Sequence, residues 1–357
     1  MRKRIHFGVL ISLLALLALQ SYEATAQELP KVRVVSVRRV FYNAQHNAFT
    51  DLIRFKGRYY LAFRSCPDGH GIHSSSSIII LGSDDTRTWQ QVHRFSVRTR
   101  DTRDPHFLIF KDKLFVYTGT WFCGDEKYKP QKYDINEHLG YAVWSADGEK
   151  WHGPEMLEGT YGHYVWRAAT FGDKAYLCGR RKHEFAWTPN RKDAAKITES
   201  AMLESDDGLI WKKVALFQEH NGDETAFLFE PDGRVVAVAR RGGNNAELCT
   251  SAPPYRQWQR KDLGQYIGGP LLVKWNDYYL VGGRKRENDR HRTALFWLVD
   301  GKLHEFAVLP SDGDNSYPGF VRLSPTKALI SYYSSHEKDD TGKPITAIYL
   351  AELEIMP

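Results

Sequence analysis

Polar side chains recur at matching points of this chain. Asp51, Arg64, Arg103, Asp104, Arg167, Glu224, Arg240, Arg284 and Tyr317 all stand at the start or end of short apolar runs. Four of those runs end in arginine: Arg64, Arg180, Arg240 and Arg284. Arginines gathered over one cavity are costly unless an anion binds there or carboxylates pair with them. The set as a whole therefore predicts an anion site, while any one arginine is accounted for by an acid on a neighbouring element.

The elements that must position these residues form a repeat. Its clearest copy, Val165 to Trp211, reads as a strand, a tight turn, a second strand ending in arginine, and a third strand. A Ser205-Asp206-Asp207-Gly208-x-x-Trp211 turn closes the copy. Asp-Gly suits a tight turn that needs positive φ, and the tryptophan can fold back as an apolar plug. Further copies open at Asn47, Arg103, Glu224, Gly268 and Ser316. Periods of about 45 to 60 residues with several short strands each describe propeller blades. The expectation is an all-β, six-bladed β-propeller of four-stranded antiparallel blades. The strand over Val32 to Val40 would close the ring against the carboxy-terminal AIYLAELEI and cover an open sheet edge. Long insertions at Ser65 to Ile72, Thr120 to Leu139 and Arg181 to Glu199 carry aromatic and charged residues, a composition that suits sugar rings. A turn or two of helix is expected within 193–202.

Residues 1–27 read as a secretory signal peptide. Arg2, Lys3 and Arg4 precede an apolar run from Phe7 to Leu19, too short to span a bilayer, and Ala24-Thr25-Ala26 supplies small residues for cleavage. The expectation is one propeller domain over 28–357, secreted or periplasmic, with no membrane insertion of the mature chain. Net charge is +6, or about +4 without the leader, with no basic cluster, so nucleic acid is not an expected partner. Cys66, Cys123, Cys178 and Cys249 lack metal-ligand spacing, and the compartment allows one or two disulfides. His70, His106 and His163 also lack such spacing. No metal or cofactor is expected.

Certain motifs resemble the sialidase superfamily. The S-x-D-G-x-x-W turns at Ser145 to Trp151 and Ser205 to Trp211 are similar to its Asp-box. Glu224 to Arg240 resembles the segment carrying a glutamate and an arginine, and Ser316-Tyr317-Pro-Gly-Phe-Val resembles the segment with the catalytic tyrosine. The resemblance implies a retaining glycoside hydrolase with Tyr317 as nucleophile and Glu224 as its base, a scheme that departs from paired carboxylates. It also implies that Arg240 and Arg284 clamp a substrate carboxylate. Asp68 or His70, just beyond Arg64, would be the acid/base. The family's first-blade arginine is replaced here by Ala48-Phe49-Thr50-Asp51. Arg103 or Arg167 would have to stand in, and Asp51 would suit hydroxyl recognition on a different sugar. The implied partner is a glycan with a terminal sugar, acidic or neutral. A propeller polysaccharide lyase acting on uronates and a non-catalytic glycan-binding propeller are the alternatives.

Overall fold

The computed structural model describes residues 28–124, 129–130, 132–188 and 190–357. The expected leader lies outside the described residues. Among the described residues, strand β1 (Val32–Phe41) opens a chain of 24 strands that form six four-stranded sheets. Blade one comprises β2 (His46–Phe55), β3 (Arg58–Cys66), β4 (Ser77–Ser83) and β5 (Gln90–Phe95). Blade two has β6 (Arg100–Phe110), β7 (Lys113–Phe122), β8 (Leu139–Ser145) and β9 (His152–Met156). Blade three has β10 (Tyr164–Phe171), β11 (Lys174–Lys182), β12 (Thr198–Ser205) and β13 (Lys212–Gln218). Blade four has β14 (Thr225–Phe229), β15 (Val235–Arg241), β16 (Asn244–Ser251) and β17 (Gln259–Asp262). Blade five has β18 (Gly268–Trp275), β19 (Tyr278–Glu287), β20 (Arg290–Val299) and β21 (Lys302–Val308). Blade six has β22 (Asn315–Arg322), β23 (Lys327–Lys338) and β24 (Pro344–Ile355), completed by β1. The β1–β24 pairing runs antiparallel from Val32 opposite Ile355 to Phe41 opposite Ile348, so the chain's two ends lock the ring. That closure covers the edge of β24, with β1 as the outer strand of the blade.

The second strands are apolar on both faces because blades stack against one another. Leu61, Ala62 and Phe63 on β3, and Val235 to Ala239 on β15, are all buried. Between third and fourth strands the Ser-Asp turn recurs with one geometry. In blade two, Asp147 Oδ1 accepts from the Glu149 and Lys150 amides while Gly148 N donates to Ser145 Oγ. Asp207 and Ser205 make the same bonds in blade three. Asp85 does so in blade one, where Thr86 takes the positive φ (64°) that glycine holds elsewhere. Trp89, Trp151 and Trp211 follow these turns at equivalent places, each immediately before the fourth strand. The turn of blade three leans on the preceding blade, with Tyr117 Oη donating to the Gly208 carbonyl at 3.1 Å.

Helix α1 (Arg191–Ile197) starts slightly earlier than expected and ends where β12 begins. Its cap is Asn190, whose side chain accepts from the Asp193 amide. All four cysteines are unpaired, three of them buried, so the permitted disulfides do not form in this fold. Among the described residues no helix is long and apolar enough to cross a membrane.

Candidate active site

One backbone device, repeated around the ring, shapes the channel mouth. In five blades the inner strand slips register against its partner near its start. The slips fall between Ala48 and Asp51, Arg103 and His106, Val165 and Ala168, Gly268 and Leu271, and Ser316 and Gly319. Such bulges re-aim side chains and are frequent beside active sites. At four of them a residue takes positive φ: Phe49 (62°), Asp104 (52°), Gly269 (59°) and Tyr317 (52°). For the three residues that are not glycine this is sparsely populated backbone, of the kind that gathers at functional positions.

Tyr317 and Glu224 meet here. The phenol donates to Glu224 Oε1 at 2.6 Å. Glu224 Oε2 accepts from Arg240 Nη1 at 2.9 Å and from the Gly269 amide at 3.1 Å. Arg240 Nη1 also lies 3.4 Å from the phenolic oxygen. Burial, and then the Glu224 carboxylate, push the Tyr317 phenol well above its ordinary range, while Arg240 acts the other way. The oxygen thus has a base on one side and a cation to stabilise developing negative charge on the other. Gly269 is required for this fit, since a Cβ there would stand 2.6 Å from the Tyr317 ring.

The arginines are all matched by acids. Arg64, fully buried, bonds Asp101 at 3.0 Å and the Gly69 and Gly71 carbonyls. Arg103 pairs with Asp101 at 3.2 Å and donates to the His70 carbonyl at 2.7 Å. These two guanidinium groups pin down the loop that carries His70. Arg180 pairs with Asp223 at 2.5 Å, Arg240 with Glu224 and Asp223, and Arg284 with Asp314 at 3.1 Å. Arg284 also donates to Tyr333 Oη and lies over the Tyr317 ring. The expected surplus of positive charge is therefore absent from these groups. Arg64 in particular is spent on protein partners, because its strand end points between blades one and two.

Arg167 and Asp51 also depart from expectation. Arg167, on blade three, donates to Asp51 Oδ1 at 2.9 Å, to the Pro318 carbonyl at 2.6 Å and to the Pro270 carbonyl at 3.3 Å. It ties together the inner strands of blades one, three, five and six. Asp51 completes the tie by accepting from the Leu52 and Phe107 amides. Both residues are buried, and the carboxylate expected to read sugar hydroxyls is occupied by a cross-channel brace. His106 lies against Asp51, and burial followed by Arg167 brings it down to about 4.

Asp104 was visible only as one of the recurring polar residues, with no role attached. It is buried beside Tyr164, whose hydroxyl donates to Oδ2, while Oδ1 has no partner among the described residues. Burial raises Asp104 to about 6, against the pull of Arg103 and with a push from Glu224. The Asp104 carboxylate adds to the upward push on the Tyr317 phenol. Of the two expected acid/base residues, exposed Asp68 accepts from Ser75 within its own loop and touches none of this cluster. His70 does reach the mouth. It packs edge-on against Phe49 and bonds Asp314 Oδ2 at 2.6 Å. Asp101, Asp314, Tyr164 and Tyr333 were not singled out in the sequence. Asp101 and Asp314 lie two and three residues before Arg103 and Tyr317, so their nearness to repeat starts was the available signal.

Two of the long insertions form a cleft of about 650 Å³ beside the mouth, lined by Trp121, Tyr133, Lys182, Trp187 and Asn244 and reaching Arg180 and Asp223. Trp187 is 72% exposed, an open aromatic face next to the buried cluster.

No protein-family model matches the sequence, and no curated protein matches it. Solved structures do. A protein of unknown function from Dyadobacter fermentans superposes with a TM-score of 0.74 at 23% identity, covering 92% of this chain and 100% of that one. Trypanosoma rangeli sialidase in complex with the inhibitor DANA gives 0.65 at 14% identity, over 91% of this chain and 60% of that one. The phage phi92 endosialidase gives 0.65 at 9% identity, over 90% and 69%. The chain thus spans about 60% of the trypanosomal enzyme. At these identities the likeness establishes the fold, and the molecule is a sialidase-like six-bladed propeller.

Proposed function

We propose that the protein is a glycoside hydrolase that removes a terminal sugar from a glycan, with Tyr317 as nucleophile. The observation that carries this reading is the 2.6 Å bond from the Tyr317 hydroxyl to Glu224, on a residue held at φ 52°. In the first step the phenolic oxygen attacks the anomeric carbon, its proton passes to Glu224, and the glycosidic bond breaks. Asp104, with a carboxyl near 6 and one free oxygen, gives a proton to the leaving oxygen. In the second step Asp104 takes a proton from water, the water oxygen displaces Tyr317, and Glu224 returns the phenolic proton. Configuration is retained because the anomeric carbon is displaced twice.

The pairing of each arginine with an acid favours a sugar without a carboxylate, and weighs against a lyase that would need a free cation to neutralise a uronate. The decisive comparison is Tyr317→Phe against wild type on a panel of neutral and acidic aryl glycosides. The expected result is a loss of turnover by orders of magnitude in a folded variant. Turnover near wild type would overturn the tyrosine mechanism, and no turnover of any glycoside by wild type would overturn the hydrolase reading itself.

A further inference from the structure

At the rim of the mouth, three side chains that are remote in sequence converge. His46 opens the inner strand of blade one, His70 sits on the loop between β3 and β4, and Asp314 precedes the inner strand of blade six. Asp314 Oδ2 lies 2.8 Å from His46 Nε2 and 2.6 Å from His70 Nδ1, and the three atoms all fall within 4.8 Å of one another. We propose that His46, His70 and Asp314 form a binding site for a divalent transition metal ion such as Zn²⁺. This inference does not depend on the catalytic reading above.

The donor set fits that ion. Two imidazole nitrogens and one carboxylate oxygen, with remaining positions open, is the composition of catalytic zinc sites. Bond lengths of about 2.0–2.1 Å imply ligand atoms roughly 3.3 Å apart in a tetrahedral arrangement. The two separations to Asp314 therefore widen by about 0.5–0.7 Å, and the two imidazole nitrogens, which lie within 4.8 Å of one another, settle at the same spacing. His70 is the side chain with room to move, being 56% exposed, whereas His46 is held at 10%.

The surroundings orient the ligands as well. Asp314 Oδ1 is anchored by Tyr333 Oη at 2.8 Å and Arg284 Nη2 at 3.1 Å, which leaves Oδ2 turned toward the two imidazoles. Outer partners of this kind fix ligating carboxylates. The two imidazole rings meet edge to face at 5.3 Å, and Phe49 and Tyr333 wall the pair on the inner side. The guanidinium of Arg284 shares the carboxylate with the ion and moderates its affinity.

The full-length protein, stripped with a chelator, should be titrated with Zn²⁺ by calorimetry and with Co²⁺ by visible absorption. One equivalent should bind with a Kd in the micromolar range or tighter, Co²⁺ should show ligand-field bands, and Zn²⁺ should raise the Tm. His70→Ala should weaken binding by at least about tenfold and abolish the Tm rise while leaving the metal-free Tm near wild type. His46→Ala should act the same way at the buried ligand. If His46→Ala does not fold, His70→Ala decides alone. Absence of saturable binding to wild type, or binding unchanged in His70→Ala, would overturn the proposal.

Discussion

Asp104→Asn tests the electrostatics of the mouth without requiring a known substrate. In the folded protein the carboxyl titrates near 6, against an ordinary value of 3.8. A raised carboxyl pKa means that the folded state binds more protons than the unfolded chain between those two values, so stability must fall as pH rises through that window. Multiplying the gap between 6 and 3.8 by 1.36 kcal/mol gives about 3 kcal/mol. That stabilisation is present below about pH 4 and lost above about pH 6. Asparagine mimics the protonated acid and does not titrate. The group is buried, so solvent screening removes little of the effect. Other carboxylates, such as Asp51 and Asp314, are held low and give the opposite slope, but they are common to both proteins and cancel in the difference. Urea unfolding of wild type and Asp104→Asn at pH 4.5 and 7.5 should therefore show the variant gaining about 2 kcal/mol relative to wild type at the higher pH, the share of the effect that falls above pH 4.5. A difference that is flat with pH, or that favours wild type at the higher pH, would refute the reasoning and remove Asp104 as a proton donor.

Two further outcomes rest on the geometry and one on the amino-terminal sequence. Gly269→Ala should destabilise the fold by about 2–4 kcal/mol, from left-handed backbone strain and from overpacking against the Tyr317 ring, as read from the denaturation midpoint. Trp187→Ala should leave stability within about 0.5 kcal/mol of wild type, yet raise the KM for oligosaccharides over that for simple aryl glycosides, because the exposed indole lies outside the catalytic cluster. Expression with residues 1–27 in a secreting host should yield a mature amino terminus near residue 28, which amino-terminal sequencing checks; retention of the leader would sink the export expectation.

Much of the architecture was written locally. Each blade carries its own turn chemistry, and the Ser-Asp turns at Ser83, Ser145 and Ser205 set the third and fourth strands by short-range hydrogen bonds. The number of blades, the ring closure by β1 and the convergence of Glu224 with Tyr317 follow from such repeats, since equivalent strand starts in a closed ring face one centre. What residues do once they arrive there is not local. Arg64, Arg167 and Asp51 share repeat positions with residues of the mouth, but Arg167 finds its acceptors 103, 116 and 151 residues away in sequence and becomes a brace. Asp104 gains its raised pKa only once the fold buries it and brings Glu224 into range, and a carboxyl in a sequence carries no mark of its desolvation. The same holds for His46, His70 and Asp314, whose spacing reads as nothing until blade six closes against blade one and turns two imidazoles onto one oxygen. The chain's own pattern determined which residues reach the ring's centre. Their charge state and partners were decided by the desolvated, cross-blade environment that only the closed fold creates.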